Sequence, residues 1–292
     1  MMNLAKKRAG AEMTALLASL STLAETREVL AIERGADVLD FKDPTQGALG
    51  AWNSDDLDAA IVLVAGRKTT SATVGDLPMM PEMLSAAVRR TAESGVDFVK
   101  VGFFPQEGEP QEGKETWGPC LKALALEAAR GARIVAVMFA DKAPDFAAIE
   151  TFAASGLAGV MLDTADKKAG GLRRHLGDRP LADFVARSRQ HKLFCGLAGS
   201  LTKDDVLPLL ALSPDYLGFR GALCGAHGRT GRLDGGALRA IKDMFQAAEF
   251  DDLSTDIASQ ATAIAGAQVA AISRNAVPPV SPLTSMRSAK LR

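Results

Sequence analysis

Short apolar runs alternate with amphipathic, alanine-rich stretches along most of this 292-residue chain. The runs predict strands at 14–20, 37–42, 69–74, 97–102, 133–139, 158–163, 193–198 and 215–220. The stretches between and after them predict helices near 22–34, 55–65, 81–94, 116–130, 144–155, 180–190, 202–211 and 235–248. Gly35, Gly95, Gly131 and Gly156 each follow a helical stretch, where a residue free to turn left-handed ends a helix. Eight strands, each followed by a helix, is the count of a closed (β/α)8 barrel. Near-regular units of about 30 residues favour closure over an open, doubly wound sheet. The expected fold is an α/β, TIM-like barrel over residues 14–250, preceded by a polar arm, 1–13. An alanine-rich stretch, 251–276, carries Leu253, Ile257, Ile264 and Ile272 loosely on one side and reads as an added helix. The tail, 277–292, sets Pro278, Pro279 and Pro282 among small polar and basic residues, a composition expected to be disordered.

Apolar residues make up 47% of the chain and aromatic ones only 5%, so the core is expected to be mainly aliphatic. Trp52 and Trp117 are expected to cover the barrel rim or core. A formal charge of −1 offers no general attraction to nucleic acid or an anionic membrane, so anion binding must come from local clusters. Cys120, Cys195 and Cys224 are odd in number and form no C-x-x-C pair, which suits reduced thiols in the cytoplasm. Cys195, between Phe194 and Leu197, reads as a core residue. Lys6, Lys7 and Arg8 before MTALLASLSTLA imitate the start of a signal peptide, but Glu12 interrupts it and the apolar part serves better as a first strand. No apolar run reaches the ~20 residues of a membrane span. The chain is expected to be cytoplasmic and to self-associate through the barrel and its added helix.

Charges inside the apolar runs change this picture. Asp40 and Lys42 lie in ADVLDFKDP, Lys100 in VDFVKVGFF and Asp163 in GVMLDTADKK, each at or near the carboxyl end of its run. Side chains alternate along a strand, so Asp40 and Lys42 share a face with Val38, Lys100 with Phe98, and Asp163 with Met161. These are strands two, four and six, and alternate strands of a barrel contribute to the same interior layer, below the end where such barrels build active sites. Lys167, on the next loop, would hang over the same mouth. A free lysine has a pKa near ~10.4, leaving about one in a few thousand neutral at pH 7. A second ammonium about 6 Å away, at an effective dielectric near 20, raises the energy of the charged form by about 3 kcal/mol, or two pKa units. Gathered lysines therefore make an amine nucleophile able to form a Schiff base, while aspartates hold the remaining ammonium groups and move protons. Plainer readings exist: Lys100 snorkelling past a strand end, Asp163 capping a turn, or a structural ion-pair network.

Two later segments suit phosphate. GLAGSLTKDD, 196–205, leads from a strand end through Gly199 and Ser200 towards a helix start. RGALCGAHGRTGR, 220–232, is glycine-rich and carries Arg220, Gly221, Arg229 and Arg232. Phosphate sites in these barrels often lie in the loops after strands seven and eight. His175, His191 and His227 are the only histidines, and none has metal-ligand spacing with Cys or carboxylates, which argues against a zinc aldolase. No G-x-G-x-x-G follows the first strand, so no dinucleotide cofactor is expected.

At these residues the chain resembles the (5-formylfuran-3-yl)methyl phosphate synthases of methanofuran biosynthesis. The matching segments are GADVLDFKDPTQGALGAW, TVGDLP, VDFVKVGF, VMLDTADKK, GLAGSL and GFRGALC, of which DxKxPxxGxLGA is specific. The resemblance implies a TIM-like barrel, without metal or cofactor. The implied enzyme joins two molecules of glyceraldehyde 3-phosphate into a furan phosphate and releases phosphate and water. It implies Lys42 as the Schiff-base lysine, with Asp40, Lys100, Asp163 and Lys167 around it. Gly199, Ser200, Arg220 and Gly221 are the expected phosphate contacts. A class I aldolase on another phosphorylated sugar, or a non-catalytic phospho-ligand-binding barrel, are the competing readings.

Overall fold

The computed structural model describes residues 13–104, 117–225 and 228–249. Residues 1–12 of the arm, His227, the added helix and the tail lie outside them. The strands are β1 (Ala15–Leu20), β2 (Val38–Phe41), β3 (Thr69–Thr73), β4 (Phe98–Gly102), β5 (Ile134–Phe139), β6 (Gly159–Asp163), β7 (Phe194–Leu197) and β8 (Tyr216–Phe219). All pair in parallel with their sequence neighbours, and β8 returns to β1 with Leu17 opposite Gly218, closing the barrel.

The helices are α1 (Leu23–Leu30), α2 (Ser54–Val64), α3 (Pro81–Glu93), α4 (Gly118–Ala129), α5 (Ala148–Ala154), α6 (Leu172–His175), α7 (Asp178–Gln190) and α8 (Val206–Leu210). A last helix, α9, spans 235–249. Local chemistry sets their starts. Thr22 accepts the Glu25 amide at 3.1 Å ahead of α1, and Asn53 accepts the Asp56 amide at 2.9 Å ahead of α2. Pro81 opens α3, where its missing N–H removes no helical bond.

Alternation along the strands divides the core in two. Leu39, Phe41, Val99, Val101 and Leu162 face outward into an apolar layer beneath the helices. Leu17, Val38, Phe98, Val135, Met161 and Tyr216 fill the barrel itself. Phe41 meets Trp52 at 5.1 Å between ring centroids and Phe103 meets Trp117 at 5.2 Å, so both tryptophans pack against this core.

Three helical expectations shorten. After Leu30 the chain turns through Ile32 and a left-handed Arg34 (φ 54°) instead of continuing α1. Asp145 Oδ1 accepts the Ala147 amide at 2.8 Å, delaying α5 to Ala148. The stretch 202–211 splits because Thr202 and Asp205 cap each other around a 3₁₀ turn, Lys203–Asp205, before α8. The four-residue α6 is too short to leave a periodic signal in the sequence.

Candidate active site

Four neighbouring strands converge on Asp40. Its carboxylate is 1% exposed, accepts Ser19 Oγ of β1 at 2.9 Å and Ser71 Oγ of β3 at 2.6 Å, and pairs with Lys100 Nζ of β4 at 2.9 Å. Burial alone would raise its pKa, but the charges of Lys100 and Lys42 and the bonds from Ser71 and Lys100 hold it below the usual carboxylate range. Burial pushes Lys100 down, against the opposing pull of Asp40. Beneath it lies Tyr216, with the Lys100 ammonium 5.5 Å from the ring centroid. The Tyr216 hydroxyl has no hydrogen-bond partner among the described residues, and burial raises its pKa far above the ordinary value.

Asp163 ends β6 and forms a second centre higher in the mouth. Lys42 Nζ donates to Oδ2 at 3.3 Å, Lys167 Nζ donates to Oδ1, and the Thr164 amide donates to Oδ1 at 2.7 Å. Burial opposes ionisation, yet Lys167 and Lys42 hold this carboxyl far below the usual range. Burial is also the first cause lowering the Lys167 pKa, with Asp163 opposing and Lys42 adding to it. For both shifted lysines, then, desolvation ranks above like-charge crowding, the reverse of the emphasis drawn from sequence.

Two carboxylates outside the cavity fasten the lysine-bearing loops. Asp76, after β3, accepts the Ala48 and Leu49 amides at 2.7 and 2.8 Å, anchoring the loop that follows Lys42. Asp141, after β5, accepts the Ala165 and Asp166 amides at 2.7 and 2.8 Å, anchoring the turn that carries Lys167.

Asp40, Lys42, Lys100, Asp163 and Lys167 all line one cavity of about 430 Å³ together with Gly199, Ser200, Arg220 and Gly221. Gly199 and Ser200 both have positive φ, 107° and 48°, so the chain turns sharply where it lines the cavity. A Cβ on Gly199 would stand 3.0 Å from Thr164 Cγ2, so a side chain there would crowd the β6 turn.

Arg220 requires a correction. Its guanidinium is not a free phosphate ligand but pairs with buried Glu25, Nη1 to Oε2 at 2.7 Å and Nη2 to Oε1 at 3.0 Å. Its other bonds go to Ser19 O, Ser21 Oγ, Gly231 O and Arg229 O, so every nitrogen is engaged. A buried arginine needs this satisfaction, and here it ties the loop after β8 to α1 across the closing seam. The TLAE motif, Thr22 to Glu25, signals a capping box in sequence, but Glu25 turns instead to Ser21 and Arg220. Ser19, Ser71, Tyr216, Asp76, Asp141 and Glu25 were missed as site-supporting residues. A serine at an inward strand position was the available signal for Ser19 and Ser71.

Cys195 is buried and its thiol pKa raised by burial, which leaves it inert. Among the described residues no cluster of His, Cys, Asp or Glu is placed to hold a metal, and no helix is long and apolar enough to cross a membrane.

Fold and site together define an enzyme of the (β/α)8-barrel class with a lysine–aspartate centre in its mouth. Solved barrels agree on the fold. Dihydrodipicolinate synthase from Agrobacterium tumefaciens superposes with a TM-score of 0.56 at 14% identity, over 87% of this chain and 80% of that one. Phosphoribosyl anthranilate isomerase from Thermus thermophilus gives 0.54 at 14%, over 80% and 99%. The 4-HFC-P synthase family model matches residues 16–242, and the chain belongs to that family, the one of methanofuran biosynthesis to which its motifs point. It is 34% identical to the (5-formylfuran-3-yl)methyl phosphate synthase of Methanothermobacter thermautotrophicus, over 75% of this chain and 94% of that one. It is 33% identical to that of Methanocaldococcus jannaschii, over 78% and 98%. A relative from Methylorubrum extorquens reaches 40%, over 73% and 85%.

Proposed function

We propose that this enzyme is a carbon–oxygen lyase that condenses two molecules of glyceraldehyde 3-phosphate into (5-formylfuran-3-yl)methyl phosphate. One phosphate and two waters leave, and the reaction passes through an imine on Lys42. The observation that carries the reading is the sharing of Asp163 by two ammonium groups, Lys42 and Lys167, in the wall of the cavity. When Lys42 gives up its proton to attack a carbonyl, Asp163 keeps a cationic partner in Lys167. No carboxylate is stranded, and the charge change stays local. Asp163, held far below the usual range, stays ionised and is a poor base.

One triose phosphate is held through its aldehyde carbon as the Lys42 imine, which releases one water, and loss of its C2 proton gives an enamine nucleophilic at C2, the branched carbon of the product. Elimination of phosphate from the second triose leaves a 2-hydroxypropenal, and the enamine attacks its terminal carbon. The 2-hydroxyl oxygen of that unit closes on the imine carbon, the first unit's 2-hydroxyl leaves as the second water, and departure of the Lys42 amine completes the furan. Lys100, paired one to one with Asp40, lies below these atoms and holds a fixed positive charge at the cavity floor. The Gly199–Ser200 turn and the Gly221 loop receive a phosphate. The reaction uses neither metal nor cofactor and takes place in the cytoplasm.

Borohydride reduction with glyceraldehyde 3-phosphate tests the reading. A mass increment on Lys42, together with phosphate release and a new furan absorbance, is expected. An adduct without phosphate release would mark an aldolase instead, and no adduct would leave only a binding barrel.

A further inference from the structure

Two arginines stand in the loop after β8, and the fold treats them differently. Arg220 is engaged at every nitrogen. Arg229 lines the cavity with Lys42, Asp163 and Lys167, and its Nη2 donates to Gly47 O at 2.9 Å. Gly47 belongs to the loop after β2, so Arg229 reaches over the top of β1 from one neighbour to the other. Its landing point is rigid. Gly47 has φ 116°, and a Cβ there would lie 2.1 Å from Asp76 Oδ2, the atom that binds the Ala48 amide. Only glycine lets that carboxylate close on the loop.

Charge around the cavity exceeds what one substrate needs. Lys42, Lys100, Lys167, Lys203 and Arg229 face it against Asp40 and Asp163, five positive groups to two negative, while Arg220 is neutralised by Glu25. The formal surplus is +3. One phosphomonoester carries about −1.5 to −2 and leaves a large part of it unmatched; two come close to balance. Gly199, Ser200 and Gly221 line the cavity on the β7 and β8 side, where the proposed function seats one phosphate. Arg229 stands on the β2 side, coupled electrostatically to Asp163 and Asp76, and its charge is felt by Lys167.

We propose that Arg229, beside Lys42 and Lys167, is the seat of a second phosphomonoester, separate from the one placed at Gly199, Ser200 and Gly221. A guanidinium fork has five N–H donors and can bind two phosphate oxygens while keeping Gly47 O. This rests on the proposed use of two triose phosphates and assigns the phosphate of the second.

Calorimetric titration with sn-glycerol 3-phosphate is the test, because it has the phosphate and the three-carbon chain but no carbonyl to form an imine. Wild-type protein should show two binding events. Arg229→Ala should weaken one of them by at least about 10-fold and leave the other unchanged. Arg229→Lys, which keeps the charge and loses the fork, should fall between. A single event in the wild type, two events that Arg229→Ala leaves intact, or loss of both events together would each overturn the proposal, the last by making Arg229 a strap. The borohydride adduct on Lys42 reports separately. Its absence in the wild type sinks the imine, whereas two events that respond to Arg229 stand regardless of it.

Discussion

Asp40 in β2 and Asp163 at the end of β6 stand on opposite sides of the same barrel and both hold lysines, yet their surroundings differ. Asp40 is closed in by two serine hydroxyls and Lys100, all from β1, β3 and β4. Asp163 binds one amide of its own turn and two lysines that arrive from loops at the mouth. In the lower centre charges are matched one to one and all partners come from strands, so losing a proton there strands a buried ion. In the upper centre two cations share one anion, so one of them can become neutral while the carboxylate remains paired. Depth and stoichiometry, not residue type, separate a held pair from a reactive one.

The largest expected effect lies in the upper centre. Lys42→Ala should lower turnover by at least about 10⁴-fold and abolish the borohydride adduct. Lys42→Arg should be equally inactive, since guanidinium stays charged and forms no imine. Residual turnover near wild type in either variant removes Lys42 from the chemistry and with it the contrast between the centres.

Stability should divide the other way. Asp40→Ala leaves Lys100 buried without a partner and is expected to lower unfolding free energy by about 3–5 kcal/mol in urea titration. Asp40→Asn combined with Lys100→Met removes both charges and should recover most of that loss without recovering turnover. Asp163→Asn should destabilise less than Asp40→Ala, because Lys42 and Lys167 can turn to the open mouth. Equal losses in the two single variants would mean that the centres do not differ in kind.

The pH dependence of melting sharpens this further. Both carboxyl pKa values are lowered on folding, so their stabilisation is present above the unfolded value of about 4 and is lost as pH falls through the folded values. Lys100 and Lys167 are also lowered. Between their folded values and about 10.4 the unfolded chain holds more protons, and stability from these groups rises with pH. Melting temperature should therefore drop on the acid side, and the Asp40→Asn, Lys100→Met double variant should show shallower slopes on both sides. Slopes identical to wild type would show that the lower centre does not titrate with folding.

What the sequence made legible follows the range of each interaction. The eight strands read clearly because burial on both faces leaves apolar runs, and the charges within those runs stood out against them. Period-two alternation then placed Asp40, Lys100 and Asp163 on the inner face. Which carboxylate meets which lysine depends on register between strands, and the pairing of Lys42 with Asp163, 121 residues away, leaves no local trace. Arg220 was misjudged for the same reason: a glycine-rich loop with arginines looks like a phosphate site until Glu25, 195 residues earlier, is seen beside it. The amide anchors Asp76 and Asp141 read as ordinary loop acids, because their partners are backbone groups of other loops.

Asp141 offers the smallest and most local test of the contrast, since it acts on the upper centre without entering the cavity. Burial would raise its pKa, but the Asp166 and Ala165 amides outweigh that and keep it below the usual range, the mark of a carboxylate serving as a double acceptor. Asparagine has one acceptor oxygen, so Asp141→Asn keeps one amide bond and turns an NH2 towards the other. The expected loss is about 1–2 kcal/mol of stability. If the anchor fixes where the Lys167 ammonium meets Asp163, turnover should also fall by about 10-fold with little change in KM. The basic limb of the pH–rate profile should move too, because the Lys167 pKa depends on its distance from Asp163 and Lys42. Asp76→Asn, which loosens the loop beyond Lys42, should lower turnover while leaving that limb in place. A merely structural Asp141 would lower melting temperature alone. An unchanged pH–rate profile would therefore detach it from the upper centre and leave the positioning of Lys167 to Thr164 and Asp163.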